Sequence, residues 1–217
     1  MRVELDRPWL TAEFERPLRA LSWAPHRPGF VTAERVAWRE VRNADLPEDL
    51  DALAWLRAEM AATGRGDAVG LLTSRDVRRC VTAQAEVEGV RACVLATVGL
   101  SNAERVGARR AAGPAPVGTI NIAATLSAPL SDAALIEALS VLVQARTAAV
   151  MEHGPDLPGI GRASGTGTDC AVMAAPPGDE AFAGQHTAAG EALGAAVLDA
   201  VSRGVREWMQ EREGGDA

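Results

Sequence analysis

The chain has 217 residues, 47% of them hydrophobic, and a formal charge of −7. This length suits one domain with a sizeable core, and the acidic balance argues against binding to nucleic acid or to an anionic membrane. We find no signal peptide and no apolar run of about 18 residues, so we expect a cytoplasmic protein without a membrane span. All 22 basic residues are Arg and Tyr is absent, which excludes a catalytic lysine and a Walker-type phosphate loop.

The first 42 residues are predicted to be extended. Residues 18–23 and 31–41 alternate apolar and polar side chains, as strands do. A helix is predicted from Pro47 to Gly64, because proline and acidic residues favour a helix N-terminus. The four tryptophans of this part are expected in the core rather than against a ligand: Trp9, Trp23, Trp38 and Trp55.

Strands dominate the middle of the chain. Residues 67–74 predict a short buried strand, and residues 80–87 and 90–100 predict a hairpin that turns at Glu88-Gly89. Residues 117–126 predict one more strand. The apolar run that starts at residue 171 predicts another.

Two long helices are predicted in the second half. Ser131 is suited to cap the first, and the last covers residues 187–209, followed by a polar tail that is expected to fray. Strands outnumber helices and occur in runs, so the sequence predicts an α+β fold with a mainly antiparallel or mixed sheet covered by long helices. We expect a single domain, with residues 1–15 and 210–217 peripheral.

The most polar motif is Gly165-Thr166-Gly167-Thr168-Asp169, immediately ahead of an apolar strand. Glycine permits positive φ or a close approach of backbone to ligand, and the hydroxyls and carboxylate can be aimed at that ligand. The alternative is a tight turn in which Thr and Asp only satisfy backbone groups.

Two further clusters stand at predicted strand ends. Ser101 and Asn102 follow one strand, and Thr119 and Asn121 lie two apart, so both point to one face of another. Asn is disfavoured in strands, which favours a functional role for Asn121. The alternatives are a cap for a short helix through Arg109 and ordinary solvent-facing strand residues.

The fourth cluster stands at a helix entrance, where Gln185 and His186 are followed by Glu191. A helix N-terminus favours neutral imidazole, the form that acts as a base. The alternative is an exposed histidine without a role. Three Cys and three His form no recognisable zinc pattern, so no metal site is predicted.

At these clusters the chain resembles the adenosylcobinamide amidohydrolases of corrinoid salvage. The matching stretches follow in the same order and cover most of the chain: Val69-Gly70-Leu71-Leu72-Thr73, Val98-Gly99-Leu100-Ser101-Asn102-Ala103, Gly118-Thr119-Ile120-Asn121-Ile122, Leu130-Ser131-Asp132-Ala133-Ala134-Leu135, Gly165-Thr166-Gly167-Thr168-Asp169, Ala183-Gly184-Gln185-His186-Thr187 and Gly190-Glu191.

The resemblance implies hydrolysis of the amide that joins the aminopropanol arm of adenosylcobinamide to a propionate of the corrin ring. The product is adenosylcobyric acid, and no cofactor is implied because the corrinoid is the substrate. Family members often carry Lys at the position of Gln185, which still offers a hydrogen bond to a carbonyl or phosphate. Residues 118–172 are also faintly similar to self-cleaving aminopeptidases with a layered αββα fold.

Two mechanisms fit the resemblance. In the preferred one, His186 activates water or the hydroxyl of Ser101, Thr119 or Thr166, with Asp169 or Glu191 orienting the imidazole. Asn102 and Asn121 then donate N–H groups to the oxyanion. In the other, Asp169 is the general base and His186 binds substrate.

The predicted site residues therefore fall into two groups. The catalytic group is His186, Asp169, Asn121, Ser101 and Glu191. The substrate-binding group is Asn102, Thr119, Gly165, Thr166, Gly167, Thr168 and Gln185.

Two other functions stay open: a corrinoid-binding protein without turnover, and a hydrolase of another N-substituted amide. The expected partner is adenosylcobinamide or a related corrinoid, with neither nucleic acid nor membrane. The sequence leaves both a monomer and a homo-oligomer open.

Overall fold

The protein is described by a computed structural model covering residues 1–42, 45–47, 49–108 and 118–215. Its elements in chain order are β1 (Arg2–Asp6), β2 (Trp9–Ser22), β3 (Gly29–Glu40), α1 (Ala52–Ala62), β4 (Val69–Thr73), a 3₁₀ turn (Val77–Arg79), β5 (Val81–Val87), β6 (Val90–Val98), β7 (Ala103–Glu104), β8 (Ile120–Leu126), α2 (Asp132–His153), β9 (Asp156–Leu157), β10 (Gly161–Arg162), β11 (Gly165–Thr166), β12 (Cys170–Ala175) and α3 (Ala188–Gly215).

Eight strands form one mixed sheet in the order β4-β3-β2-β12-β8-β6-β5, with β1 also paired to β2. The β3–β4 and β12–β8 pairs are parallel, and the other neighbours are antiparallel. The predicted α+β class with a mixed sheet is confirmed. The predicted hairpin is also confirmed, because β5 and β6 turn through Glu88 and Gly89, both at positive φ.

A bulge in β2 bends the sheet into two halves. β2 advances from Glu13 to Leu18, five positions, while its partner β3 retreats only from Arg35 to Ala33, two positions. The extra residues of β2 bend the hairpin that β2 forms with β3. One end of the hairpin carries β1 and β4, and the other end carries β12 and the rest of the sheet.

Three apolar clusters show that the halves and helices are stacked in layers. The outermost cluster joins α1 to one half of the sheet through Trp9, Ala37, Leu56 and Met60. The second lies between the two halves and contains Leu10, Trp38, Leu71, Leu95, Ala123 and Val172. The third joins the other half to α2 and α3 through Ile122, Met173, Leu142 and Leu193. The layer order is therefore αββα, as the fainter resemblance implies.

Asp51 determines where α1 begins. Its carboxylate accepts hydrogen bonds from the backbone N–H groups of Leu53 and Ala54, both at 3.0 Å, as an N-cap does. The prediction that this helix starts at Pro47 was therefore wrong by five residues. Its predicted end is close, because Thr63 closes the helix and Gly64 follows at positive φ.

α2 begins as predicted, with the Ser131 hydroxyl accepting from the N–H of Ala134 at 3.2 Å. By length and composition α2 is able to cross a membrane, which the sequence analysis did not anticipate. Eight of its residues are buried in the fold, however, and a core helix meets the same criteria.

Both ends of the chain are more integrated than predicted. Trp9, Leu10 and Ala12 are core residues, although residues 1–15 were expected to be peripheral. α3 continues to Gly215 instead of fraying after residue 209, because Glu211 forms a bidentate ion pair with Arg75.

Candidate active site

A cleft of about 710 Å³ opens where β4 ends and where β8 and β12 begin. We call it the main cleft. Its floor is polar and includes Thr73, Ser74, Asn102, Thr119, Asn121, Thr168 and Asp169. Its rim is apolar and includes Trp23, Pro25, Pro28, Leu46 and Leu53. The cleft thus brings together most of the polar residues that the sequence predicted at strand ends.

Thr119 and Asn121 line the floor from one face of β8, as predicted. The Asn121 side chain is only 1% exposed, and its Nδ2 donates to the Leu72 carbonyl oxygen at 2.6 Å. Thr119 Oγ1 lies 2.8 Å from the carbonyl oxygen of Thr168 and 3.3 Å from Asn121 Oδ1. Because the hydroxyl has one proton and the Thr168 oxygen is nearer, the hydrogen bond to Asn121 Oδ1 is the weaker of the two.

Asn102 presents a second acceptor. Its Nδ2 donates to the Thr168 hydroxyl at 3.3 Å, and that hydroxyl donates to the Gly118 carbonyl oxygen at 2.9 Å. This chain of bonds determines the amide orientation, because the Thr168 proton is already used. Asn102 Oδ1 is buried and has no hydrogen-bond partner within the described residues. Such an orphan oxygen costs about 1–3 kcal/mol, which a ligand N–H would relieve.

Asp169 organises the floor from beneath. Its two carboxylate oxygens accept from four donors: the Arg146 guanidinium, the Thr166 hydroxyl, the Thr166 N–H at 3.0 Å and the Ile120 N–H at 3.1 Å. A carboxylate has about four acceptor sites, so none is left to take a proton from water. The geometry therefore favours a positioning role for Asp169, which ties the Gly-Thr loop to the start of β8.

Arg146 was missed by the sequence analysis. It projects from α2 with its side chain 15% exposed. Burial lowers the pKa of its guanidinium, because the charged form loses contact with water. The ion pair with the Asp169 carboxylate compensates for that loss. A signal was present, since Arg146 lies four residues from Leu142 and four from Val150 on the buried stripe of α2.

Gly165 is needed for the same ion pair. A Cβ at this position would collide with the Arg146 guanidinium and the Asp169 carboxylate. The glycine of this motif therefore permits close packing behind the floor. Gly167 lies in the same loop, with Asn102 as its nearest neighbour.

Ser101 lies in an adjoining second cleft of about 400 Å³. This cleft shares Val41, Ser74 and Gly118 with the main cleft, and Arg75 and Trp208 also line it. The short helix that was the alternative interpretation of Ser101 and Asn102 is not seen up to residue 108; β7 pairs there with β11 instead. Arg109, the expected end of that helix, lies outside the described residues.

The structure places His186, Gln185 and Glu191 apart from the main cleft. All three are exposed at the N-terminus of α3, where Gln185 Nε2 donates to Gln144 Oε1 at 2.6 Å. Trp208 of the same helix lines the second cleft, 20 residues after Ala188, and 20 residues of helix span about 30 Å. No hydrogen bond joins His186 to Asp169 or Glu191 in the described part of the chain, so a catalytic role for His186 stays a prediction.

One residue of the cleft wall, Trp23, differs from expectation. Trp23 is 46% exposed rather than in the core, and its Nε1 donates to the Asp169 carbonyl oxygen at 2.7 Å. Cys170 also lines the main cleft, and burial raises the pKa of its thiol to about 12. The thiol is therefore protonated near neutral pH and is a poor nucleophile.

Among the residues that the structure describes, no three His, Cys, Asp or Glu side chains are grouped as metal ligands would be. A family model described as adenosylcobinamide amidohydrolase matches residues 1–213 of the chain. No curated protein matches it. The family match confirms the resemblance inferred from the motifs and includes every residue of both clefts.

Proposed function

Since the chain belongs to the adenosylcobinamide amidohydrolase family, it hydrolyses the amide of the aminopropanol arm, and we propose that the main cleft is where this amide is cut. One observation carries the proposal. Two buried amide oxygens lie on a polar floor beneath an apolar rim: Asn102 Oδ1 has no donor among the described residues, and Asn121 Oδ1 accepts a long hydrogen bond of 3.3 Å from the Thr119 hydroxyl. A substituted amide on a large, partly apolar ring offers the complementary groups.

Asn102 and Asn121 act as acceptors in this proposal. Each Nδ2 donates one of its two N–H groups, to the Thr168 hydroxyl or to the Leu72 carbonyl oxygen, and this orients the side-chain oxygen as the acceptor for substrate. The scissile amide N–H and the hydroxyl of the aminopropanol arm are the matching donors. The second N–H of each amide keeps the expected donation to the oxyanion as a prediction.

Thr119 is the hydroxyl best placed to act on the amide. The Thr166 hydroxyl is bound to Asp169, and Ser101 lines the second cleft. The Thr119 hydroxyl donates its proton to a carbonyl oxygen, which cannot serve as a base. In this proposal the free lone pairs of the Thr119 oxygen therefore hold the attacking water instead. Asp169 contributes by holding the Ile120 N–H, one residue from Thr119.

We also propose that the reaction needs no cofactor, because the corrinoid is the substrate. A cytoplasmic location is supported by three free cysteine thiols, since disulfides are rare in that compartment.

Incubation of the protein with adenosylcobinamide, followed by chromatography, tests the activity through release of adenosylcobyric acid. Asn102→Leu should lower kcat/KM at least tenfold, as expected when about 1.4 kcal/mol of substrate binding is lost. Gln210→Ala, which removes an exposed amide on α3 that lines neither cleft, is the matched control and should leave kcat/KM unchanged. If both variants were equally active, the proposal that the amide is cut in the main cleft would be wrong. Binding of adenosylcobinamide without product would instead favour a binding protein, and turnover of only other amides a different hydrolase.

A further inference from the structure

Trp23 offers a flat apolar face next to the floor of the main cleft. Nearly half of its side chain is exposed, yet the bond from Nε1 to the Asp169 carbonyl oxygen holds the indole in place. A large aromatic group that is both fixed and exposed is unusual away from a binding site. Pro25, Pro28 and Leu53 extend the same apolar rim.

The segment that carries this rim is firmly attached to the body of the protein. His26 exchanges two backbone hydrogen bonds with Gly70 of β4, at 3.3 and 3.1 Å, and its ring Nε2 lies 3.0 Å from the Gly66 carbonyl oxygen. Arg27 donates to the Thr32 carbonyl oxygen at 2.9 Å. The rim is thus preorganised, which reduces the entropy lost on binding a ligand.

The position of Trp23 relates it to one part of the substrate. The floor below it takes the amide arm, so the ring to which the arm is attached must lie at the mouth of the cleft. We propose that Trp23 is a specificity residue on which the corrin macrocycle rests, on the side that bears the scissile arm. This inference rests on the proposed function, because it assumes that the arm enters the main cleft.

Adenosylcobyric acid is the ligand that tests the inference, since it keeps the macrocycle and lacks the arm. Its Kd, measured by equilibrium dialysis, should rise about tenfold in Trp23→Ala, the loss that ~1.4 kcal/mol of aromatic contact produces. KM for adenosylcobinamide should rise similarly while kcat stays within about threefold, because uniform binding is removed. Trp23→Phe, which keeps an aromatic face, should recover most of the affinity.

Trp55→Phe and Trp55→Ala are the matched controls, because Trp55 belongs to α1, packs against the outermost apolar cluster and lines neither cleft. An unchanged Kd for adenosylcobyric acid in Trp23→Ala would overturn the inference, even if KM for the full substrate rose, since that pattern places the indole against the arm. A fall in kcat with unchanged KM would also overturn it. The proposed function fails separately, when Asn102→Leu turns over adenosylcobinamide normally.

Discussion

The side-chain amide of Asn121 donates to the backbone carbonyl oxygen of Leu72, 2.6 Å away. The two residues belong to β8 and β4, which stand four strands apart in the sheet order. Their contact closes the folded sheet at the end where the main cleft opens. One residue thus stabilises the fold through its nitrogen and also lines the main cleft.

Asn121→Ala should impair both stability and activity. Loss of the side chain leaves the Leu72 carbonyl oxygen without its donor, which should lower the free energy of unfolding by about 1–3 kcal/mol. Urea denaturation measures this, and kcat/KM for adenosylcobinamide should fall at least tenfold. The exposed Gln210→Ala should change stability by less than about 0.5 kcal/mol. A variant as stable as the native chain would contradict the proposed closure.

Asn102→Leu should separate stability from activity. The substitution removes an orphan buried oxygen and fills nearly the same volume, so the free energy of unfolding should stay within about 1 kcal/mol or rise. Activity should still fall, because the acceptor for the substrate is gone. Thermal unfolding and kinetics on the same preparation check both. A large loss of stability would show that the oxygen has a structural partner.

The Arg146–Asp169 ion pair should behave as a coupled unit. Arg146→Met alone leaves a buried carboxylate uncompensated and should cost about 3–5 kcal/mol. Adding Asp169→Asn should recover part of that loss, so the two effects will not sum. A double-mutant cycle by urea denaturation measures the coupling energy. Strict additivity would mean that the two side chains act independently.

His186→Ala distinguishes the sequence hypothesis from the observed geometry. If His186 is the general base, its removal should lower kcat at least ~10²-fold. Because His186 is exposed and lines neither cleft, we expect less than a threefold change. Steady-state kinetics with adenosylcobinamide decides. A hundredfold loss would require His186 to reach the cleft in the working enzyme.

Cys170 should resist alkylation in the folded enzyme. With a thiol pKa of about 12, only about 10⁻⁴ of the group is thiolate at pH 8, and the thiolate is the reactive form. Iodoacetamide at pH 8 should therefore label the partly exposed Cys93 much faster, as peptide mass spectrometry would show. Labelling of Cys170 should increase as pH rises towards the pKa, and in denaturant the two should react alike. Rapid labelling at pH 8 would contradict burial of the thiol.

The sequence predicted the strands and the long helices well, because their signals are local. The turn at Glu88-Gly89 marked the hairpin of β5 and β6, and the Ser131 cap marked the start of α2. It also identified Asn102, Thr119 and Asn121 as a set, since each is a polar residue at the end of an apolar strand.

Residues that depend on the folded sheet could not be predicted in the same way. Arg146 becomes a site residue only because α2 packs behind the Gly-Thr loop, and Trp23 only because the segment after β2 reaches the mouth of the cleft. His186 illustrates the converse. The start of a helix is a sound local signal, but His186 lines neither the main cleft nor the second cleft.

The position of the bent β2–β3 hairpin in the sheet also affects how the chain reaches its native state during synthesis. Ser22 of β2 pairs with Val172 of β12, 150 positions later in the chain. Until the ribosome has delivered that segment, β2 keeps an unpaired edge, which invites association with other chains. Pairing across so long a separation is slow, so we expect newly made protein to depend on chaperones before the sheet is complete.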